Sequence, residues 1–340
     1  MINIIRPGML TTIQDTGRWG YQKYGVPIGG AMDPFALSIA NILVGNEPNA
    51  AALEVTVTGP VIELTRDTLV AVTGSLFCSV TAANSPNIIP QWKAVLVKKG
   101  TVLDIGKCCK GCRGYIAFSG GIHVPHVLNS SSTYLRASFG GYEGRALKTG
   151  DKIALNEPSP FSKILMDRLR RVDPNVTIIE SNFTVSCSIV DDSNSTDQLR
   201  VVPGNHEMMF HEDDLHLFYS STFKVSPNSD RMGYRLDGPH LHWKASEDII
   251  SEPTICGTIQ IPQSGQPIVL MADGQPTGGY PKIANIITRD IWRLAHFKPG
   301  DMVKFTPILL ETAQSLYRYK IQELNQLQIG VRSQIIREES

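Results

Sequence analysis

Short apolar runs punctuated by glycine, proline and asparagine dominate the first half of the chain: LEVTVTG (53–59), VIEL (61–64), TLVAVTG (68–74), LFCSVTA (76–82), AVLVKKG (94–100), TVLDIG (101–106) and GYIAFSGG (114–121). Their length and their valine, isoleucine and threonine content predict β-strands of a barrel or sandwich. The clearest helix is DPFALSIANILVGN (33–46). Asp33 can cap it and Pro34 suits its first turn. Phe35, Ile39, Ile42 and Leu43 form an apolar stripe, and Gly45 can end it.

The β pattern resumes in LRVVPG, TFKVSP, YRLDGP and PIVLMADG, and YPKIANIITRDIWRLAHF (280–297) places Ile283, Ile286, Ile287, Ile291 and Leu294 at helical spacing. Between the halves, CSIVDDSNSTD (187–197) has the polar, turn-forming composition of a linker. Residues 1–190 are therefore expected to form a first β subdomain, 191–306 a second, and 307–340 a helical tail with Leu316, Ile321 and Leu324 on one side. LKTGDKIAL (147–155) and FKPGDMVKF (297–305) share a Lys-x-Gly-Asp core followed by alternating apolar residues, a short internal echo between the halves.

With 340 residues, 42% of them hydrophobic, the chain can bury a substantial core, and 32 basic residues balance 32 acidic ones. No basic block favours nucleic acid or an anionic membrane as partner. The start, MINIIRPGML, lacks the charged and apolar regions of a signal peptide, so a cytoplasmic location is expected. Cys78, Cys108, Cys109, Cys112, Cys187 and Cys256 are unevenly spaced in a chain too large to need disulfides, and reduced thiols are expected.

CCKGC (108–112) has Cys-x-x-Cys spacing, but no second pair lies near it in sequence. It reads as a glycine turn, and no metal is expected. His206, His211 and His216 are five apart, which turns them off a single helix face, and His240 with His242 lacks a third ligand. No nucleophile elbow, Walker loop or dinucleotide fingerprint occurs. What remains are dense glycine-polar runs: QDTGRWGYQ, GVPIGGAMD, STYLRASFGGYEGRAL, SDRMGYR, SEPTICGTIQIPQSGQP and DGQPTGGYP. Each alone is turn chemistry; six with arginine, aspartate or glutamine beside glycine suit a small polar substrate.

Three long stretches carry a resemblance: TTIQDTGRWGYQKYGVPIGGAMDPFALSIANILVGN, STYLRASFGGYEGRALKTGD, and GTIQIPQSGQPIVLMADGQPTGGYPKIANIITRDIWRLAHFKPGDMVKF. They resemble the biotin-dependent carboxyltransferase family that includes allophanate-hydrolase-type second subunits, antagonists of a sporulation kinase inhibitor, and the C-type subunit of bacterial 5-oxoprolinase. The resemblance runs from Arg6 to Phe305. One departure is Asn129-Ser130-Ser131-Ser132-Thr133, where the family reads Gly-Ser-Arg-Ser-Thr.

The resemblance implies a mainly β fold of two cyclophilin-like β-barrel subdomains with few helices. It implies a subunit of ATP-dependent 5-oxoprolinase, which converts 5-oxoproline to L-glutamate, working with a kinase-inhibitor-like B-type subunit and a third subunit. A urea carboxylase or allophanate-hydrolase role, and a non-catalytic role as antagonist of a histidine-kinase inhibitor, are the alternatives. Any biotin carrier or biotin carboxylase must be a separate protein, since the chain holds no Ala-Met-Lys-Met sequence and no evident ATP loop.

The same resemblance places an active-site carboxylate at Asp33, to accept an amide proton or orient a small amide substrate; the bland reading of Asp33 is an N-cap alone. Arg136 and Arg231 are the expected donors to a developing oxyanion, or else members of an ion pair. Gly29, Gly30, Gly140, Gly141, Gln275, Thr277, Gly278, Gly279 and Tyr280 are the expected substrate-binding positions. Gln14 and Asp15 are expected to brace the first loop.

Overall fold

A computed structural model, describing residues 1–75, 79–82, 85–172, 176–185, 197–244 and 249–337, shows strands such as Gly233–Asp237 and Met302–Pro307 burying alternate side chains, whereas Thr68–Gly74 and Arg113–Phe118 are buried on both faces. Cys78, Cys187 and residues 187–196 of the expected linker lie outside the described residues. The chain forms two compact units. The first is Met1–Gly17 with Asp33–Val190 and Gln322–Ser340; the second is Arg18–Met32 with Asp191–Ile321.

In the first unit, strands β1 (Ile2–Arg6), β2 (Leu10–Gln14), β3 (Ala52–Thr56), β4 (Val61–Leu64), β5 (Thr68–Gly74), β6 (Ser79–Ala82), β7 (Ser85–Ile88), β8 (Lys93–Val97), β9 (Val102–Asp104), β10 (Arg113–Phe118), β11 (Ile122–His123), β12 (Lys152–Leu155) and β13 (Ile178–Thr184) follow in order. Two sheets hold most of them, ordered β11-β12-β1-β4-β9 and β13-β8-β5-β10-β3-β2. Ile2, Ile4 and Ile62 of the smaller sheet join Leu53, Val70, Val95, Ile116 and Phe118 of the larger in one core. Burying such a side chain contributes about 1.5–3 kcal/mol.

Helix α1 (Pro34–Leu43) packs against β5 and β10 of the larger sheet, and α2 (Pro160–Val172) against β13, β5 and β8. Every residue from Ala36 to Leu43 is buried, Ser38 and Asn41 included, so the helix is enclosed on all sides and not only along the narrow apolar stripe its spacing predicts. Its end is closed by left-handed Gly45, whose N–H reaches Ile42 O while the Asn46 N–H reaches Asn41 O. A Cβ on Gly45 would stand 2.9 Å from the Ser162 nitrogen, so the close approach of α2 also requires glycine there.

The second unit is a closed barrel in the order β14-β21-β18-β19-β16-β15-β22. Its strands are β14 (Gln198–Pro203), β15 (Phe223–Val225), β16 (Gly233–Asp237), β18 (Thr258–Gln260), β19 (Ile268–Leu270), β21 (Lys282–Ile286) and β22 (Met302–Pro307), with β17 (Glu252–Pro253) and β20 (Thr277–Gly278) pairing separately. Helices α3 (Glu212–Ser220), α4 (Thr288–Ala295) and α5 (Leu310–Arg337) follow, and 3₁₀ turns lie at Gln22–Tyr24, Leu135–Ala137 and Glu207–Met209. The mainly β expectation with few helices holds.

The segment 280–297 corrects the predicted single helix. Lys282–Ile286 is a strand hydrogen-bonded on both sides, to β14 and β18, and only Thr288–Ala295 is helical. Barrel closure gives the β-branched KIANI run two partners, which outweighs its helical spacing. Segment Arg18–Met32 joins the second unit, with Met32 in the barrel core beside Phe210 and Val269.

The internal echo extends to hydrogen bonds. In the first unit the Gly150 N–H donates to Ile4 O and the Ile4 N–H to Asp151 O; in the second the Gly300 N–H donates to Val225 O and the Val225 N–H to Asp301 O. Both aspartates cap their own turn, Asp151 accepting from the Lys148 N–H at 2.7 Å and Asp301 from the Lys298 N–H at 2.8 Å. The shared Lys-x-Gly-Asp sequence thus makes one local structure twice. Among the described residues no helix is long and apolar enough to cross a membrane.

Candidate functional site

Asp33 stands at the loop-to-helix junction and is 3% exposed. Its Oδ1 accepts from the Phe35 N–H at 3.1 Å and the Ala36 N–H at 3.0 Å, capping α1. Its own N–H donates at 2.7 Å to the Tyr115 hydroxyl, which donates at 2.9 Å to Glu54. Burial first, then Glu54 and Asp33, push the Tyr115 phenol well above its ordinary range, so it stays a neutral donor. Tyr115 and Glu54 are cross-strand partners on β10 and β3. Neither was a sequence candidate, although a polar residue inside each apolar run, GYIAF and LEVTV, was the available signal.

Also in the first unit, Asp15 grips the loop that departs from the family pattern. It accepts from the Ser130 hydroxyl at 2.7 Å, the Ser131 N–H at 2.6 Å, the Ser132 hydroxyl at 2.5 Å and the Gly17 N–H at 2.7 Å. Gln14 donates to Thr133 O at 3.2 Å. The loop in turn holds the next glycines, since the Gly141 N–H donates to Ser131 O at 3.1 Å. Gly140 and Gly141 line a recess of about 440 Å³. Arg136 is exposed on the short 3₁₀ turn Leu135–Ala137 that leads into the recess loop.

In the second unit, Arg231 and Asp273 form a buried bidentate pair, with Nε at 2.9 Å and Nη2 at 3.0 Å from the two carboxylate oxygens. The same Nη2 donates to Gly30 O at 2.5 Å. The neighbouring Gly29 N–H donates to Ala272 O at 3.0 Å, and a Cβ on Gly29 would stand 2.8 Å from Nη1 of the fully buried Arg18. One guanidinium thus ties the GVPIGG segment to the start of DGQPTGGYP. Asp273 lies inside a quoted glycine run, yet nothing local in sequence marks it as the partner of Arg231.

Beyond Asp273 the run passes along the surface: Gln275, Thr277 and Tyr280 are exposed, while Gly278 and Gly279 are half-buried. The buried Lys282 reaches back to Gly278 O at 3.4 Å and to Glu252 at 3.3 Å. His206 accepts from the Lys282 N–H through Nδ1 at 3.2 Å, which leaves its Nε2 facing Glu252 at 3.5 Å. The Gln260 amide fills the space a Cβ on Gly278 would need, with Nε2 only 2.4 Å from that point.

The thiols divide by environment. Burial pushes Cys256 up to about 12, and burial with the neighbouring Cys112 pushes Cys108 up to about 12, whereas Cys109 is exposed. Among the described residues no three His, Cys, Asp or Glu side chains gather to hold a metal. At pH 8 a thiol of pKa 12 is ionised only about once in ten thousand. Iodoacetamide at pH 8 is therefore expected to alkylate Cys109 rapidly and leave Cys108 and Cys256 unmodified in the native protein. Peptide mass spectrometry checks this, and prompt labelling of the half-buried Cys256 would contradict its raised pKa.

The chain matches the family described as carboxyltransferase domain, subdomain A and B, over residues 24–307. It is 37% identical over 313 residues to the C-type subunit of 5-oxoprolinase from Escherichia coli, covering 92% of this chain and 93% of that one. It is 35% identical over 318 residues to the C-type subunit of 5-oxoprolinase from Haemophilus influenzae, covering 94% of each. The crystal structure of K. lactis urea amidolyase superposes with a TM-score of 0.84 at 29% identity; the match covers 96% of this chain but only 20% of that longer one. By sequence along most of its length and by its mainly β architecture, the chain belongs to the carboxyltransferase domain family with subdomains A and B.

Proposed function

We propose that the chain is the C-type subunit of an ATP-dependent 5-oxoprolinase, contributing to the opening of the 5-oxoproline lactam to L-glutamate. The observation that carries this reading is end-to-end similarity: two proteins named as this 5-oxoprolinase subunit match over nearly their whole lengths, so this chain has their extent as well as their pattern. A protein named as a subunit works with others. We assign ATP use, and any biotin, to separate polypeptides: a kinase-inhibitor-like B-type subunit, a third subunit and, where biotin serves, its carrier and carboxylase. The reaction attacks an amide, so the complex belongs with amide hydrolases and carboxyltransferases.

Within that reading the role of each group follows from its own contacts. The Asp33 carboxylate, held by the first turn of α1, accepts or orients the amide proton of the substrate. The exposed Arg136 guanidinium offers donors to the oxygen on which charge develops. Arg231 positions rather than reacts, because its donors are directed at Asp273 and Gly30. Gly29 and Gly30 and the run from Gln275 to Tyr280 are the backbone it holds in place, and they supply close main-chain approach to the substrate. Gly140 and Gly141 do the same in the first unit.

Urea carboxylation is the second reading, favoured by the 0.84 TM-score against urea amidolyase. Purification of the chain with its co-expressed neighbours discriminates the two. ATP-dependent consumption of 5-oxoproline by the mixture, and by no component alone, is expected; ATP hydrolysis driven by urea and not by 5-oxoproline would replace the first reading with the second.

A further inference from the structure

The recess in the first unit carries more chemistry than its two glycines. One wall is the solvent face of the β11–β12 edge, where His123 lies opposite Ala154 and Lys152 precedes Ala154 by two residues on the same face. Ile122, Ile153 and Leu155 point the other way into the core. A diagonal pair of this kind brings its side chains within about 7–8 Å, close enough to address one small ligand. The opposite wall is the 138–144 loop, folded tightly on itself. Ser138 and Glu143 are left-handed at φ 52° and 55°, and Gly140, Gly141 and Gly144 also have positive φ. A Cβ on Gly141 would stand 1.9 Å from Thr133 Oγ1, and one on Gly144 2.1 Å from the Ser138 carbonyl carbon.

That folding leaves donors over. The N–H groups of Phe139, Gly141 and Gly144 are taken by Tyr134 O, Ser131 O and Gly140 O. Among the described residues, those of Gly140, Tyr142 and Glu143 donate to no protein group, and the exposed Lys152 ammonium has no ion pair. Glu143, the acid on the rim, is tied to Arg145 at 2.7 and 3.0 Å, and Arg145 in turn to Asp151 at 2.8 and 2.9 Å. His123 holds Asn156 through Nδ1 at 2.8 Å, so its other nitrogen is left for a ligand. Val124, Pro125, Val127 and Phe139 add apolar lining, beside the Ser138 hydroxyl. The volume of about 440 Å³ is that of a small-molecule site.

We infer that this recess binds a small organic carboxylate, its acid group taken by Lys152 and the spare main-chain N–H groups of the 140–143 loop, its apolar body against Val124, Pro125 and Phe139. The choice of 5-oxoproline as first probe, and the role of Gly140 and Gly141 toward substrate, rest on the proposed function. Isothermal titration of the full-length protein with 5-oxoproline, and with 2-pyrrolidinone, the same lactam ring without the carboxylate, tests the inference. 5-Oxoproline is expected to bind at least tenfold more tightly than 2-pyrrolidinone. Lys152→Met should remove that preference, and Ala154→Trp, which fills the recess from an accessible position, should abolish binding; melting curves of both variants confirm that they fold. Equal affinity for the two lactams, affinity unchanged in both variants, or no binding of 5-oxoproline, L-glutamate or benzoate to the wild type would each overturn the inference. Lys152-dependent binding without turnover in any assembly would sink the proposed function and leave the site standing; turnover with recess variants of unchanged affinity would do the reverse.

Discussion

Asp33→Ala is expected to lower turnover of the assembled enzyme at least about a hundredfold, the usual contribution of a positioned proton acceptor. Stability should fall far less. The substitution removes one acceptor from two N–H groups, those of Phe35 and Ala36, and a lost cap costs about 1 kcal/mol. Asp33→Asn separates the two roles, because asparagine caps about as well as aspartate and accepts no proton. Steady-state 5-oxoproline consumption and urea unfolding, measured on both variants, decide between them. If Asn restores both stability and turnover, the residue is a cap and nothing more. If it restores stability alone, the carboxylate acts on the substrate.

The cap made by Asp33 marks how far local sequence reaches. Its capping was legible because everything it needs is local: an aspartate, a proline at the first helical position and an apolar run behind them. Most strands from Ala52 to Phe118 were legible for the same reason, being runs rich in β-branched residues bounded by glycine or a polar turn; Ser85–Ile88, with its serine, proline and asparagine, was not. The Lys-x-Gly-Asp echo was legible as a repeat, though its matched strand contacts at Ile4 and Val225 come from distant chain. What stayed hidden is set by long separations. Asp15 meets Ser130, Ser131 and Ser132 across more than a hundred residues, and Arg231 finds Asp273 across 42. The strand at Lys282–Ile286 was hidden differently: its apolar spacing fits a helix, and only its two barrel neighbours make it a strand.

Arg231→Met is expected to destabilise the protein by about 3–5 kcal/mol, because it leaves the Asp273 carboxylate buried without its bidentate partner. Pairing it with Asp273→Leu should recover much of that loss, since removing both charges leaves no orphan, and the recovery measures the coupling between them. Turnover should not recover with stability: the double variant still lacks the contact from Arg231 to Gly30 O that ties the Gly29–Gly30 loop. Cys256 reports the local outcome. Arg231 holds its thiol pKa down and Asp273 holds it up, so with the fold intact the loss of Arg231 alone makes the thiol still less reactive. Alkylation of Cys256 in Arg231→Met therefore means that the loops have opened, whereas a thiol that stays unmodified together with full turnover would show that neither the pair nor its hold on Gly30 matters to the reaction.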